Sequence, residues 1–376
     1  MSVEIKEVLS KKDLKRFIKF SLELYKGNEY VAPKLVEDEL VTLDRKKNPA
    51  FDFCESAYFL AYKDGKIVGR IAAIINHSAN EHTNSKNGRF GWVDFIDDRE
   101  VSAALFQEAE SWLKAKGMEA IVGPMGLTDL DFEGLLIDGF DRMSTMATIY
   151  NYPYYASHIE ALGFVKEVDW NEYLISVPDK MPERFSRGVE LIKQKYGLRS
   201  VEFKSRRELV KNYGQKVFDL WNVCYSELYG ASPLTQKQID HYVKIYLSFI
   251  CLDTLSLIVD KDDNVVGFGV SIPSLTKALR KAKGHLWPFG IIHVLNALRK
   301  GKNDTVDLLI IGIHPAYQNK GAISLLFGDL IPKYIKRGFK FAESNPELES
   351  NVKITAQWGT FEYENHKKRR AFIKQL

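Results

Sequence analysis

A chain of 376 residues exceeds the size at which one hydrophobic core stops growing, so two domains are expected. Its 53 Lys and Arg against 49 Asp and Glu leave a formal charge of +4, too balanced for a nucleic-acid signature; no DNA partner is expected, while an anionic small ligand stays compatible. Hydrophobic content of 45% with 27% charged residues is that of a soluble globular chain, and three widely spaced cysteines (Cys54, Cys224, Cys251) argue against a disulfide framework and a CxxC metal pair. The N-terminus, MSVEIKEVLSKKD, is charged and amphipathic, and no run reaches the roughly 18 apolar residues needed to span a bilayer. Neither a signal peptide nor a spanning helix is expected, and a cytoplasmic location fits.

In chain order, Val3 to Val8 reads as a short strand. Ser10-Lys11-Lys12-Asp13 has capping-box spacing, after which Leu14, Phe17, Ile18 and Leu22 recur at helical intervals. The polar stretch through Asn48-Pro49 reads as helix plus loop. Ala57 to Tyr62 and Ile67 to Ile75 read as strands joined by a tight hairpin at Asp64-Gly65. A strand from Phe90 to Phe95 leads to an amphipathic helix over Val101 to Lys116, ended by Gly117, and Ala120 to Gly123 reads as a further strand. The tyrosines at 150, 152, 154 and 155, with His158, read either as packing or as the wall of an acceptor pocket between two halves.

The same order then returns. Ser205-Arg206-Arg207-Glu208 is a capping box opening a helix to about Tyr229, and Thr235 to Gln238 has the same spacing before another helix. Thr254 to Val259, a turn at Asp262-Asp263-Asn264, and Val265 to Ile272 make a second hairpin, in which Asp262-Asp-Asn-Val-Val-Gly267 parallels Asp64-Gly-Lys-Ile-Val-Gly69. This predicts two similar units, 1–176 and 201–376, with a connecting segment at 177–200 where Pro178 and Pro182 sit among charges. The fold class is α/β (α+β): each unit is a mixed, mostly antiparallel sheet flanked by helices. An insertion at 275–303 interrupts the second unit. It is rich in Lys and Arg around Leu286-Trp-Pro-Phe-Gly-Ile-Ile292, and reads as a helical pair packed on its own domain, a lid, or a weak membrane-surface contact.

The most informative stretch is Asp307 to Phe327, DLLIIGIHPAYQNKGAISLLF. A hydrophobic strand (Asp307 to Ile313), a turn at Pro315 and a short loop ending in Gly321 open directly into an apolar helix ended near Gly338. Free backbone N–H groups and the helix dipole then converge on one point, which suits an anion such as a phosphate. The equivalent place in the first unit, Asp97-Asp98-Arg99-Glu100, has three acids and no glycine, so one such site per chain is expected.

The order of elements, together with Val265 to Ile272, Ile313-His-Pro-Ala-Tyr-Gln-Asn-Lys-Gly-Ala322 and the closing Phe339 to Ala342 strand with Asn351, resembles the GNAT superfamily of acyl-CoA N-acyltransferases. The family's loop is Arg/Gln-x-x-Gly-x-Gly/Ala; Gln318-x-x-Gly321 matches its first half, and Ile323 departs from its last position. Gly123-Pro-Met-Gly126, Gly134-Leu-Leu-Ile-Asp-Gly139 and Tyr152-Pro-Tyr-Tyr155 also look like a bacterial group of tandem GNAT-like proteins of poorly defined function.

The resemblance implies an acyltransferase using acetyl-CoA or a longer acyl-CoA as substrate. The pyrophosphate would sit on Gln318, Asn319, Lys320, Gly321, Ala322 and Ile323, and the strand's backbone at Ile311 and Ile313 would face the thioester arm. It implies a small-molecule or peptide amine as acceptor, with Glu343 as candidate general base. The family's general-acid tyrosine falls on Trp358, leaving Tyr363 as the candidate acid. Other readings are an acyl-CoA-binding sensor without catalysis, or a transferase using aminoacyl-tRNA or an acyl carrier. The histidines show no metal spacing, so no metal is expected, and His366-Lys-Lys-Arg-Arg370 reads as a solvated end.

Overall fold

The computed structural model describes every residue except Met1, 226–227, 247–249, 319 and 352–355, and the side chains of 184 and 244–246. The first unit runs β1 (Glu4–Glu7), α1 (Lys11–Leu24), α2 (Val36–Thr42), β2 (Cys54–Lys63), β3 (Lys66–Asn76), α3 (His77–Thr83), β4 (Asn87–Phe95), α4 (Arg99–Ala115), β5 (Ala120–Gly123), β6 (Leu135–Asp138), α5 (Tyr154–Ala161) and β7 (Val165–Ser176). Then follow α6 (Glu183–Tyr196), β8 (Arg199–Ser200), α7 (Arg206–Tyr225), α8 (Gln236–Tyr246), β9 (Leu255–Val259), β10 (Val265–Pro273), α9 (Thr276–Ala282), α10 (Gly290–Ala297), β11 (Thr305–Ile313), α11 (Pro315–Gln318), α12 (Ala322–Arg337), β12 (Phe341–Ser344), β13 (Glu347–Leu348) and β14 (Tyr363–Gln375).

Local signals account for many of these boundaries. The N–H of Asp13 donates to Ser10 Oγ (3.1 Å), and that of Gln238 to Thr235 Oγ1 (3.3 Å), as their capping-box spacing predicts. The β2–β3 turn places Asp64 and Gly65 at φ 54° and 73°, the left-handed pair that a two-residue hairpin requires. The stretch 177–200, expected as a connecting segment, carries α6 and β8; α6 packs across α12, with Gly188 against Ser324 and Val189 against Gly328.

Among the described residues the strands form one 14-stranded sheet in the order β1-β2-β3-β4-β5-β14-β7-β12-β11-β10-β9-β8, with β6 on β14 and β13 on β7. Chain order and sheet order part company at the centre. β14, the last strand of the second unit, lies between β5 and β7, while β7, from the first unit, lies between β14 and β12. Each unit is therefore closed by a strand of the other.

The basic run His366 to Arg370, read from sequence as a solvated end, is instead part of this central pairing. Strand alternation sends Lys367 and Arg369 to one face and Lys368 and Arg370 to the other. On the first face both meet the fully buried carboxylate of Glu172, Lys367 at 2.7 Å and Arg369 through a very short contact. On the second, Asp169 receives Arg370 (2.8 Å) and Lys368 (3.2 Å). Burial opposes ionisation of Glu172, yet Arg369 and Lys367 hold its carboxyl down at about 2.

Glu172→Ala is expected to cost about 3–5 kcal/mol, because Arg369 loses its buried carboxylate and Lys367 is left with Glu343 alone. Chemical denaturation followed by circular dichroism measures it. Since the folded carboxyl lies below its ordinary value of 4.5, its stabilising contribution is complete above that value and fades as pH falls toward about 2. The acid limb of the wild-type stability profile should therefore flatten in the variant.

Candidate active site

β11 and β12 run parallel and pair only over Thr305–Leu308 with Phe341–Ser344; beyond that they diverge. On its other edge β11 keeps pairing with β10, but Val270 faces Ile310 and Ser271 faces Leu308, so Leu309 is an additional residue, a β-bulge at the point of divergence. The side-chain amide of Asn345 donates to Leu309 O (2.7 Å) across the gap. Further along, side chains meet the open edge. The Tyr225 hydroxyl donates to Ile311 O (2.8 Å) and accepts from Ile311 N (3.3 Å), and Gln318 Nε2 donates to Ile313 O (3.3 Å). A strand edge with free N–H and C=O groups requires such partners or a ligand that replaces them.

β11 leads through α11 into α12, whose N-cap Gly321 has φ 76° and offers no side-chain acceptor to the first N–H groups. A Cβ at Gly321 would lie 3.0 Å from Ile192 Cδ1. The Lys320 ammonium lies over the Tyr317 ring at 4.8 Å and the Tyr196 ring at 5.6 Å. Gln318 and Ile323 line the cleft described below, Ala322 is buried in the core, and Asn319 lies outside the described residues.

The first unit holds the corresponding elements closed. Its N-cap is Asp98, which accepts from Glu100 N (2.9 Å) and binds Lys63 (2.7 Å), so a carboxylate already occupies the N-terminus of α4. Between β4 and β5 the gap is shut: Met125 N donates to Phe90 O (2.8 Å), and Gly91 and Gly123 allow a backbone approach that a Cβ would block.

The open divergence belongs to a cleft of about 2050 Å³ whose walls come from both units. The second unit supplies β10, β11, α7 and the insertion (Leu275, Leu279, Leu286, Val294); the first supplies Trp170 of β7 and the 129–133 loop. The four tyrosines at 150–155 do not border it. They pack in the first unit, Tyr155 stacked on Phe95 at 4.2 Å and Tyr152 against Tyr25 at 5.1 Å.

The acids divide by strand face. Glu343 lies within β12, on the face opposite the cleft-lining Ala342 and Ser344. Burial raises its carboxyl, while Lys367 (2.6 Å) counters that by pairing with it. Across the parallel register stands Asp307, buried and pushed well above its ordinary range by burial and by Glu343. Tyr363 is 43% exposed and packs edge-on against Tyr173 (5.7 Å).

The cleft carries acids that sequence reasoning passed over. Glu347, on β13 opposite Asn171 of β7, lines it and accepts from the buried Trp358 indole N–H (3.1 Å). Burial pushes its carboxyl up to about 7, with the Trp358 hydrogen bond pulling the other way. Asp129 and Asp131, pushed by burial up to about 6, and Glu133, raised further, stand on the facing wall. The available signals were Ser344-Asn-Pro-Glu347, a turn returning an acid after the strand, and the alternation Asp129-Leu-Asp-Phe-Glu133. Carboxyls raised by burial in an apolar cleft suit proton acceptance from an amine.

No protein-family model matches the chain. Protein YghO of Escherichia coli K12 is 29% identical over 377 residues, 99% of this chain and 95% of that protein. A bacterial ceramide synthase of Caulobacter vibrioides is 29% identical over 311 residues, covering 81% of this chain and 79% of its own length. Among solved structures, a tandem GNAT protein from the clavulanic acid biosynthesis pathway superimposes over 100% of this chain and 98% of its own, with TM-score 0.57 and 13% identity. A GCN5-related N-acetyltransferase from Sphaerobacter thermophilus covers 99% and 95%, with TM-score 0.51 and 12% identity. The bulged, diverging strand pair, its repetition in closed form and these superpositions agree: the chain has the tandem GNAT fold.

Proposed function

We propose that the protein is an acyl-CoA-dependent N-acyltransferase whose acceptor is the primary amine of a lipid-like molecule. The observation that carries this reading is the open β11–β12 divergence, bulged at Leu309 and leading to an uncapped α12, beside a sealed counterpart in the first unit. The N–H groups at the start of α12 and the Lys320 ammonium would hold the pyrophosphate, and the edge of β11 at Ile311 and Ile313 would hold the pantetheine arm in place of Tyr225 and Gln318. Glu347 would take the proton of the attacking amine, the C–N bond forming as the C–S bond breaks and the proton ending on the coenzyme A thiolate. The acceptor class rests on the apolar wall that the insertion adds to the cleft, and on the ceramide synthase relative, a ceramide being the amide of a fatty acid with a long-chain amino alcohol.

A catalytically silent acyl-CoA sensor is the second reading. It is favoured by Trp358, an indole that gives up no proton where the family resemblance places a tyrosine, and by the hydroxyl of Tyr225 on Ile311.

Incubation with acetyl-CoA or palmitoyl-CoA and a long-chain amino alcohol should release free thiol, faster with the long chain. Binding by calorimetry without thiol release would support the sensor, and no binding at millimolar acyl-CoA would sink both readings. Gly321→Val forces a β-branched residue to positive φ against Ile192 and should weaken acyl-CoA binding about tenfold or more, while Asp98→Ala leaves it unchanged. The reverse result would place the site in the first unit.

A base must be ionised to act, so the rate should rise with pH through about 7, where the Glu347 carboxyl titrates. Glu347→Gln should lower kcat by roughly 10²–10⁴ and remove that limb. An unchanged limb in the variant would assign the proton to another group.

A further inference from the structure

The insertion at 275–303 contains seven Lys and Arg, two His, and no Asp or Glu. In the structure it forms α9 and α10, a pair whose inner side is fixed. Val294 is 2% exposed in a small cluster with Leu275 and Leu279, and a Cβ at Gly290 would lie 3.0 Å from that of Ala282. Contacts to backbone carbonyls on either side of α10 anchor the excursion: Val36 N donates to Gly284 O (2.9 Å), and the side-chain Nη1 of Arg337 donates to Leu298 O (2.9 Å).

The outer side is apolar. Phe289, Ile292 and Leu295 recur every three residues along one face of α10 and are 72%, 60% and 55% exposed, and Trp287 just before them is 68% exposed. Exposed cations flank this stretch in the chain, Lys281 and Lys283 before it and Arg299, Lys300 and Lys302 after it. Acids reach the excursion at Lys277, from Asp304 (3.5 Å), and at His285, from Glu37 (3.3 Å).

We propose that this face docks the protein on an anionic phospholipid bilayer, α10 lying in the plane of the headgroups with Trp287, Phe289, Ile292 and Leu295 inserted. An exposed apolar helix face flanked by exposed cations is the pattern of an interfacial helix, and charge decides its occupant. A second copy would set like charges against like, whereas phosphate headgroups complement them. α10 has eight residues, and among the described residues no helix is long and apolar enough to cross a membrane, so it lies on the bilayer rather than through it. The opposite side of the same insertion lines the cleft through Leu279, Leu286 and Val294, so the docked face and the cavity share one wall. If the proposed acyl transfer takes place, a lipid amine leaving the bilayer would reach the cleft along this wall. The docking stands on its own, independent of whether acyl transfer takes place.

Flotation of the full chain with vesicles tests it. Binding is expected to phosphatidylglycerol–phosphatidylcholine vesicles, and to fall about tenfold or more on pure phosphatidylcholine or in high salt. Trp287→Ser with Phe289→Ser and Ile292→Ser should lose binding to the same extent, with unchanged thermal unfolding and acyl-CoA binding as the folding control. Lys281→Glu with Lys283→Glu and Lys300→Glu should abolish the preference for phosphatidylglycerol. Equal recovery with and without vesicles, equal binding by the serine variant, or a wild-type dimer that the serine substitutions dissociate would overturn the proposal.

Discussion

The cleft depends on a pair of exchanged strands and on the buried charges that fasten them. β12 diverges from β11 on one side, so its other edge must be satisfied, and β7 of the first unit provides the partner. β7 in turn is zipped along nearly its whole length to β14, where Glu172 meets Lys367 and Arg369 without access to water. Such a cluster contributes little net stability compared with apolar packing, but leaving any member unpaired is costly, so it specifies register strongly. A slip of β14 by one residue would turn Lys367 and Arg369 to the other face and strand Glu172. The register matters for the site because β7 also pairs with β13, which sets Glu347 opposite Asn171. The acid of the second unit's cleft is thus positioned by a strand of the first.

The two units share a plan and differ at the points where a ligand would enter. In the first, Gly91 and Gly123 let the backbone close over the β4–β5 divergence, and the side chain of Asp98 satisfies the N-terminus of α4. In the second, the bulge at Leu309 and the bridge from Asn345 hold the divergence open, and Gly321 contributes no side chain to cap α12. N–H donors already taken by an internal acceptor are not free for an anion, whereas those at the start of α12 have no side-chain cap. Repetition of the fold with opposite chemistry at equivalent loops therefore assigns different tasks to the halves: the second presents the divergence, and the first contributes closing strands and the facing wall with Asp129, Asp131 and Glu133.

What the sequence made legible is what is decided locally. Caps at Ser10, Ser205 and Thr235, the Asp64-Gly65 hairpin and the Gly338 stop at φ 81° each follow from a few neighbouring residues. The strand exchange is decided by contacts between residues almost two hundred positions apart, and nothing near residue 366 announces that its cations are destined for Asp169 and Glu172. The same limit governed the acids. A strand over Phe339 to Ala342, as the sequence suggests, puts Glu343 just past its end; the strand runs Phe341–Ser344, and alternation then turns Glu343 away from the cleft toward Lys367. Pro346 ends the strand and returns the chain, so the acid that reaches the cleft lies four residues later.

Trp358 shows how a departure from the family pattern and a poised acid belong together. An indole has a donor and no acceptor, and no proton to give at neutral pH, so it replaces a tyrosine neither as acid nor as base. Its N–H instead points at Glu347 from a buried position, favouring the ionised carboxylate against the burial that disfavours it. The balance falls at about 7, where both forms are populated. On the proposed reading one group then has two uses: as carboxylate it takes the proton that the neutral amine sheds as it attacks, and as carboxylic acid it returns that proton to the departing thiolate, the ammonium having first lost its extra proton to water. The proton count closes without a second titrating side chain, so the absence of a tyrosine at 358 removes an acid that the reaction does not require.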